Sequence, residues 1–197
     1  MRYFILGIVL SVALNGCADK KEPTTKTATE KQAVADIRAG KAIAERDCKG
    51  CHRLDGGGAA PAIPHLAAQR ERYLLAAMKA YKEGKRAHAA LKDTVQNMSE
   101  VDVRNVAAYY ASLSPIASAP GQDAQLVFPY ERGKALAAAC AKCHGDDGNS
   151  KTPGTPSLAG QQPHYFVVAV QEYLNRERKK SPMHAMLPGL SKLDMES

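Results

Sequence analysis

Four of the five cysteines fall into two short runs, Cys48-Lys-Gly-Cys51-His52 and Cys140-Ala-Lys-Cys143-His144. Two thiols one helical turn apart can add to the two vinyl groups of one porphyrin. The histidine that follows then turns its imidazole towards the iron, which is the attachment chemistry of c-type heme. A thioredoxin-like redox pair has no use for that histidine. A zinc ion wants four ligands, and each run brings at most three close ones. The reading is therefore two covalently bound heme c groups. Cys48, Cys51, Cys140 and Cys143 are the thioether anchors, and His52 and His144 the proximal iron ligands. The fifth cysteine, Cys17, lies far upstream, so none is left over for a disulfide.

The two runs belong to a duplication. Cys140 follows Cys48 by 92 positions, and this offset continues without a gap to the end of the chain. It pairs Pro64 with Pro156, Leu66 with Leu158, Gln69 with Gln161, Tyr73 with Tyr165, Tyr81 with Tyr173, Arg86 with Arg178 and Asp102 with Asp194. Upstream, GKAIAERDC (40–48) matches GKALAAAC (133–140) only after a one-residue adjustment. Two units make a tandem duplication rather than a solenoid.

Each unit predicts the same elements. An alanine-rich helix (34–48, 131–142) enters the cysteine motif, and a Gly/Pro loop follows it. A helix with apolar spacing comes next (73–84, 165–177), then a loop crossing the far heme face. A closing helix over 98–113 opens on Ser99 and Asp102, a capping-box pair. Ser191 and Asp194 repeat the pair, but the second unit has no counterpart of 106–113, so its final helix is expected to be missing. The expected fold class is all-α, with one domain at 34–113, a linker at 114–127 and a second domain at 128–197, each wrapped around one heme.

Hydrophobic residues make up 45% of the 197 and charged residues 24%, which is a globular rather than a disordered balance. Domains this small are marginal unless something large joins the core, and a covalent cofactor serves. At the N-terminus, Arg2 precedes the apolar run 4–14, a signal peptide over 1–16 that is too short to span a membrane comfortably. It ends in LNGC (14–17), similar to a bacterial lipobox, which makes Cys17 the expected lipidation site. Residues 17–33 are polar and lysine-rich, and read as a tether. Cleavage after residue 16 removes Arg2 and takes the formal charge from +7 to +6. No basic stripe points to nucleic acid.

The two C-x-x-C-H motifs, PSLAGQQPHYF (156–166) with its echo PHLAAQRERYL (64–74), and the paired Ser-x-x-Asp helix starts resemble the dihaem cytochrome c(4) family over residues 34–197. The resemblance implies two tandem cytochrome c-like domains that pass single electrons in the bacterial periplasm, often towards a heme-copper terminal oxidase. It also implies that Pro64 and Pro156 offer their carbonyls to the proximal histidines. The family places a methionine as distal ligand shortly before the final helix. Met183 sits there and is expected to ligate heme 2, with Met186 as its substitute. The matching residue in the first unit is Leu91, which cannot bind iron. His88, three residues earlier, is the tentative distal ligand of heme 1. Met98, Met78 and an open or water-bound iron are the alternatives. His65 and His164 read as solvated, and His184 as exposed or lining a heme edge.

The function expected from these residues is electron carriage between periplasmic or membrane redox proteins by a lipid-anchored protein. The alternative is a cytochrome subunit or catalytic dihaem oxidoreductase with an open heme 1, for example in sulfur-compound oxidation. A heme-based sensor would need an output module, and none is evident.

Overall fold

The computed structural model describes residues 34–117, 130–195 and 197. The expected signal peptide, Cys17, the tether and most of the linker lie outside these. Every regular element among the described residues is helical, with one isolated bridge between Arg86 and Arg178. No helix among them is long and apolar enough to cross a membrane.

In the first repeat, helix α1 (Ile37–Ile43) starts on Asp36, whose carboxylate accepts the Arg38 and Ala39 N–H groups at 2.8 and 3.1 Å. The chain continues through a π-helical stretch, Ala44–Cys48, into α2 (Lys49–His52). The second repeat covers the same ground with one unbroken helix, α6 (Tyr130–His144). The π-turn absorbs the extra residue between Gly40 and Cys48, because a π-bulge is how an α-helix accommodates one insertion. Both cysteine motifs therefore arrive at equivalent places despite unequal lead-ins.

Helices α3 (Glu71–Lys82) and α7 (Pro163–Leu174) match the expected apolar-spaced segments. The segment expected as a loop over the far heme face contains a helix in the first repeat, α4 (Ala89–Gln96), capped by His88. Nothing between 89 and 96 breaks a helix, whereas Pro182 and Pro188-Gly189 hold the counterpart α8 (Met183–Met186) to a single turn. Helix α5 (Glu100–Ser112) opens on the full capping box of Ser99 and Asp102. The same pair recurs before α9 (Lys192–Met195): Ser191 N–H donates to Asp194 at 2.8 Å and Asp194 N–H to Ser191 Oγ at 3.2 Å.

The first core joins Ile43 and Ala44 to Leu74, Val95 and Met98, and to Val106, Ala107, Tyr109 and Tyr110 of α5. Gly40 lets α1 approach α5, since a Cβ there would overlap the Asn105 carbonyl. Gly133 meets the Ser197 carbonyl in the same way. In the second repeat Val170, Leu187 and Met195 are buried, with Tyr173, Met183 and Leu190 packed against them.

The repeats meet through exchanged amides. Gln69 accepts Ser157 N–H at 2.8 Å and donates to the Ser157 carbonyl at 3.0 Å. Gln161 treats His65 identically, at 2.8 and 3.0 Å. Paired side-chain amides thus satisfy loop backbone that would otherwise be buried without partners.

Candidate heme sites

The Nδ1 of His52 lies 3.1 Å from the Pro64 carbonyl, and that of His144 lies 2.9 Å from the Pro156 carbonyl. A carbonyl only accepts, so each Nδ1 carries the proton and each Nε2 keeps a free lone pair. This is the tautomer an iron ligand needs, with its orientation fixed from behind. Burial holds the His52 pKa below the usual imidazole value; the Pro64 bond opposes this and the charge of His88 adds to it.

Burial pushes the Cys48 thiol up to about 11 and raises that of Cys140. Cys51 and Cys143 are exposed, and none of the four is paired in a disulfide. Raised thiols are the opposite of what thiol redox chemistry selects. Among the described residues no group of three or more His, Cys, Asp or Glu is gathered to hold a bare metal ion.

The loop after each motif is built to a common plan. The Gly56 carbonyl accepts Leu66 N–H at 2.7 Å, and the Gly148 carbonyl accepts Leu158 N–H at 2.7 Å. Arg53 leaves the first motif in a left-handed conformation (φ 49°), and Gly145 does so at the same place in the second (φ 87°). The Arg53 conformation is held by α5, whose Tyr109 and Tyr110 hydroxyls donate to the carbonyls of Leu54 (2.8 Å) and Arg53 (3.3 Å).

In the first repeat, His88 stands edge-on to Tyr81 with ring centroids 6.2 Å apart. Its Nδ1 accepts Leu91 N–H at 3.3 Å. Leu91 is half-buried. Met98 is 6% exposed within the core, and Met78 packs on that core's margin. In the second repeat Met183 packs against the buried cluster, while Met186 is 57% exposed. His184 is not a surface residue: its Nε2 donates to the Arg178 carbonyl at 2.6 Å, and its ring stands edge-on to Tyr173 at 6.1 Å. His65 is not simply solvated either, because its Nδ1 accepts Gly58 N–H at 2.9 Å. His164 is exposed.

The chain matches the cytochrome c family model twice, over residues 37–114 and 130–195. It is 33% identical to cytochrome c4 of Pseudomonas aeruginosa over 178 residues, spanning 88% of this chain and 82% of that one. The chain belongs to the dihaem cytochrome c4 family. The crystal structure of reduced cytochrome c4 from Pseudomonas stutzeri superposes with a TM-score of 0.71 at 26% identity, covering 83% of this chain and 95% of that one. A 27% identical relative, covering 94% of this chain and 84% of its own length, is the thiosulfate dehydrogenase electron acceptor of Thiomonas intermedia.

This cytochrome thus has two cytochrome c domains with one covalently bound heme c each, and it transfers electrons. Motif reading missed the cluster that joins the domains, built from Arg86, Arg178, Glu172 and four tyrosines. Its signal in the letters is the 92-residue offset, which pairs Arg86 with Arg178, Tyr73 with Tyr165 and Tyr81 with Tyr173.

Proposed function

We propose that this cytochrome carries single electrons between periplasmic redox partners, and that its two hemes are unequally ligated on their distal sides. Cys48 and Cys51 anchor heme 1 with His52 as proximal ligand; Cys140 and Cys143 anchor heme 2 with His144. The observation that carries this is the duplicated imidazole-to-proline-carbonyl bond, which frees Nε2 in both repeats. Heme iron held between two protein ligands gains and loses one electron with little rearrangement. The protein's part is to choose those ligands and to keep water and substrates away.

Met183 supplies a thioether to heme 2, and His88 is the distal ligand of heme 1. A thioether favours ferrous iron and raises the potential, whereas a second imidazole lowers it. With an imidazole from His88 on heme 1 and the thioether of Met183 on heme 2, the ligand sets would favour electron flow from heme 1 to heme 2. In the capping arrangement His88 Nδ1 accepts the Leu91 N–H, which leaves the proton on Nε2. Ligation through Nε2 therefore requires that proton to move to Nδ1, and the long cap bond to Leu91 is given up.

The domains at 34–113 and 128–197 carry these sites on either side of the linker 114–127. Cys17 anchors the protein through lipid at the periplasmic face of a membrane. The likeness to the Thiomonas electron acceptor favours a dehydrogenase of reduced sulfur compounds as donor, and a terminal oxidase is the proposed acceptor. The test is reduction of the ferric protein by a thiosulfate dehydrogenase in rapid mixing. Full reduction without consumption of thiosulfate by the cytochrome alone supports a carrier. Turnover of thiosulfate by the cytochrome alone would make it an enzyme.

A further inference from the structure

Pro64, whose carbonyl lies 3.1 Å from His52 Nδ1, sits in a loop that the next residue ties together. His65 Nδ1 accepts the Gly58 N–H at 2.9 Å and so closes residues 58–65 into a ring. The second repeat grips the same stretch. Gln161 holds the N–H and carbonyl of His65 at 2.8 and 3.0 Å. The Gln162 amide donates to the Ile63 and Gly58 carbonyls at 2.7 and 3.3 Å. The Pro64 carbonyl is therefore presented by backbone fixed on both sides. The counterpart loop has no such imidazole. Ser157 stands at the place of His65 and Ser150 at that of Gly58, and the Ser150 hydroxyl donates instead to the Cys143 carbonyl at 2.8 Å.

A ring nitrogen that accepts an N–H carries no proton, so neutral His65 has its proton on Nε2. Protonation of Nδ1 would set two N–H groups against each other and open the ring. The bond to Gly58 therefore favours the neutral form. Burial lowers the His65 pKa below the usual imidazole value, the Arg53 charge adds to this, and Asp55 opposes it. Arg53 and Asp55 are the charged groups that bear on His65. From the second repeat it meets the uncharged amide of Gln161, and the cavity beside it is lined by uncharged residues of that repeat and of the linker.

We propose that His65 is a positioning residue for heme 1: its neutral imidazole ties the loop that keeps the Pro64 carbonyl on His52, and its protonation loosens that hold. This role rests on His52 being the proximal ligand of heme 1, but not on the distal ligands or the redox partners. A firmly held Nδ1 proton makes an imidazole a more basic ligand, which favours ferric iron. Histidine is the side chain that changes charge in this pH range. As pH falls through the lowered His65 pKa, the heme 1 potential should shift upwards. Heme 2, with Ser157 at that place, has no such step.

The test is a potentiometric titration of the holoprotein across pH, with each heme followed through its own methyl NMR resonances. His65→Asn puts an acceptor oxygen where Nδ1 stands and cannot titrate. Its heme 1 potential should lose the step and stay at the high-pH value of the parent. His65→Ala has no acceptor and should stay at the raised, low-pH value throughout. If His65 acted by charge alone, the two variants would share one potential, and that result would overturn the proposal. A step of parental size surviving in His65→Asn would overturn it too. Should His65→Ala fail to fold, exchange of the His52 Nδ1 proton in the ferrous protein gives a second readout. Exchange should quicken below the step in the parent and not in His65→Asn, and equal rates in the two would refute the role. A parental heme 1 spectrum in His52→Ala would refute the ligand assignment and this role with it, whereas the other adverse results refute the role alone.

Discussion

Replacing Gly40 with alanine sets helix propensity against helix packing, and the structure decides the sign. Alanine in a helix interior is favoured over glycine by about 1 kcal/mol. A Cβ at position 40, however, would lie 2.5 Å from the Asn105 carbonyl carbon and 2.9 Å from Tyr109 Cβ. Non-bonded carbons prefer about 3.5–4.0 Å, so α1 and α5 must part by about 1 Å. The obstructing atoms are mostly backbone and cannot rotate aside. Such overpacking costs about 1–3 kcal/mol, and here the upper end applies, because the joint also carries the Asp36 N–H to Asn105 Oδ1 bond at 2.9 Å. The net loss is about 1–2 kcal/mol, or a fall in Tm of about 2–8 °C for a chain of this size. Thermal melts of the holoprotein followed by circular dichroism measure it. Gly133→Ala serves as the comparator and should cost less, since its Cβ meets only Ser197. A Gly40→Ala protein as stable as the parent would refute the reasoning.

Tyr109→Phe removes a 2.8 Å bond to the Leu54 carbonyl and should cost about 1 kcal/mol in denaturant unfolding. Leu91→Met places a thioether at the position equivalent to Met183 and should raise the heme 1 potential, read by spectropotentiometry. The Ser191 hydroxyl and N–H, with Arg132, hold Asp194 at a pKa of about 2, and Ser99 lowers that of Asp102. Both carboxylates are depressed, so the stability they contribute is present above the unfolded value near pH 4. It is lost as pH falls towards 2. The slope of Tm against pH in that window should flatten in Asp194→Asn.

The heme-bearing residues are legible in the letters because covalent attachment demands a fixed spacing, and duplication shows that spacing twice. The capping pairs at Ser99 and Ser191 are legible for a similar reason, as their bonds are local. The one-residue mismatch before Cys48 is visible as a number, but its resolution as a π-turn depends on α1 having to keep both its Gly40 crossing and its cysteine in register. Helix α4 is harder to foresee, because it is only eight residues long and buries Val95 alone. The Arg86–Arg178 cluster needs the two repeats to be brought together. His184 is the clearest case of position overriding local sequence. It reaches the same edge-on place on its tyrosine as His88 does, from a point four residues out of step with the repeat.

Different distal ligands on the two irons would be separated by near-infrared magnetic circular dichroism of the fully ferric protein. Two low-spin hemes of equal amount are expected, one with the charge-transfer band of paired imidazoles and one with that of imidazole and thioether. The imidazole-pair band alone should vanish in His88→Ala. Two imidazole–thioether bands, or a high-spin heme in the unaltered protein, would contradict this ligation.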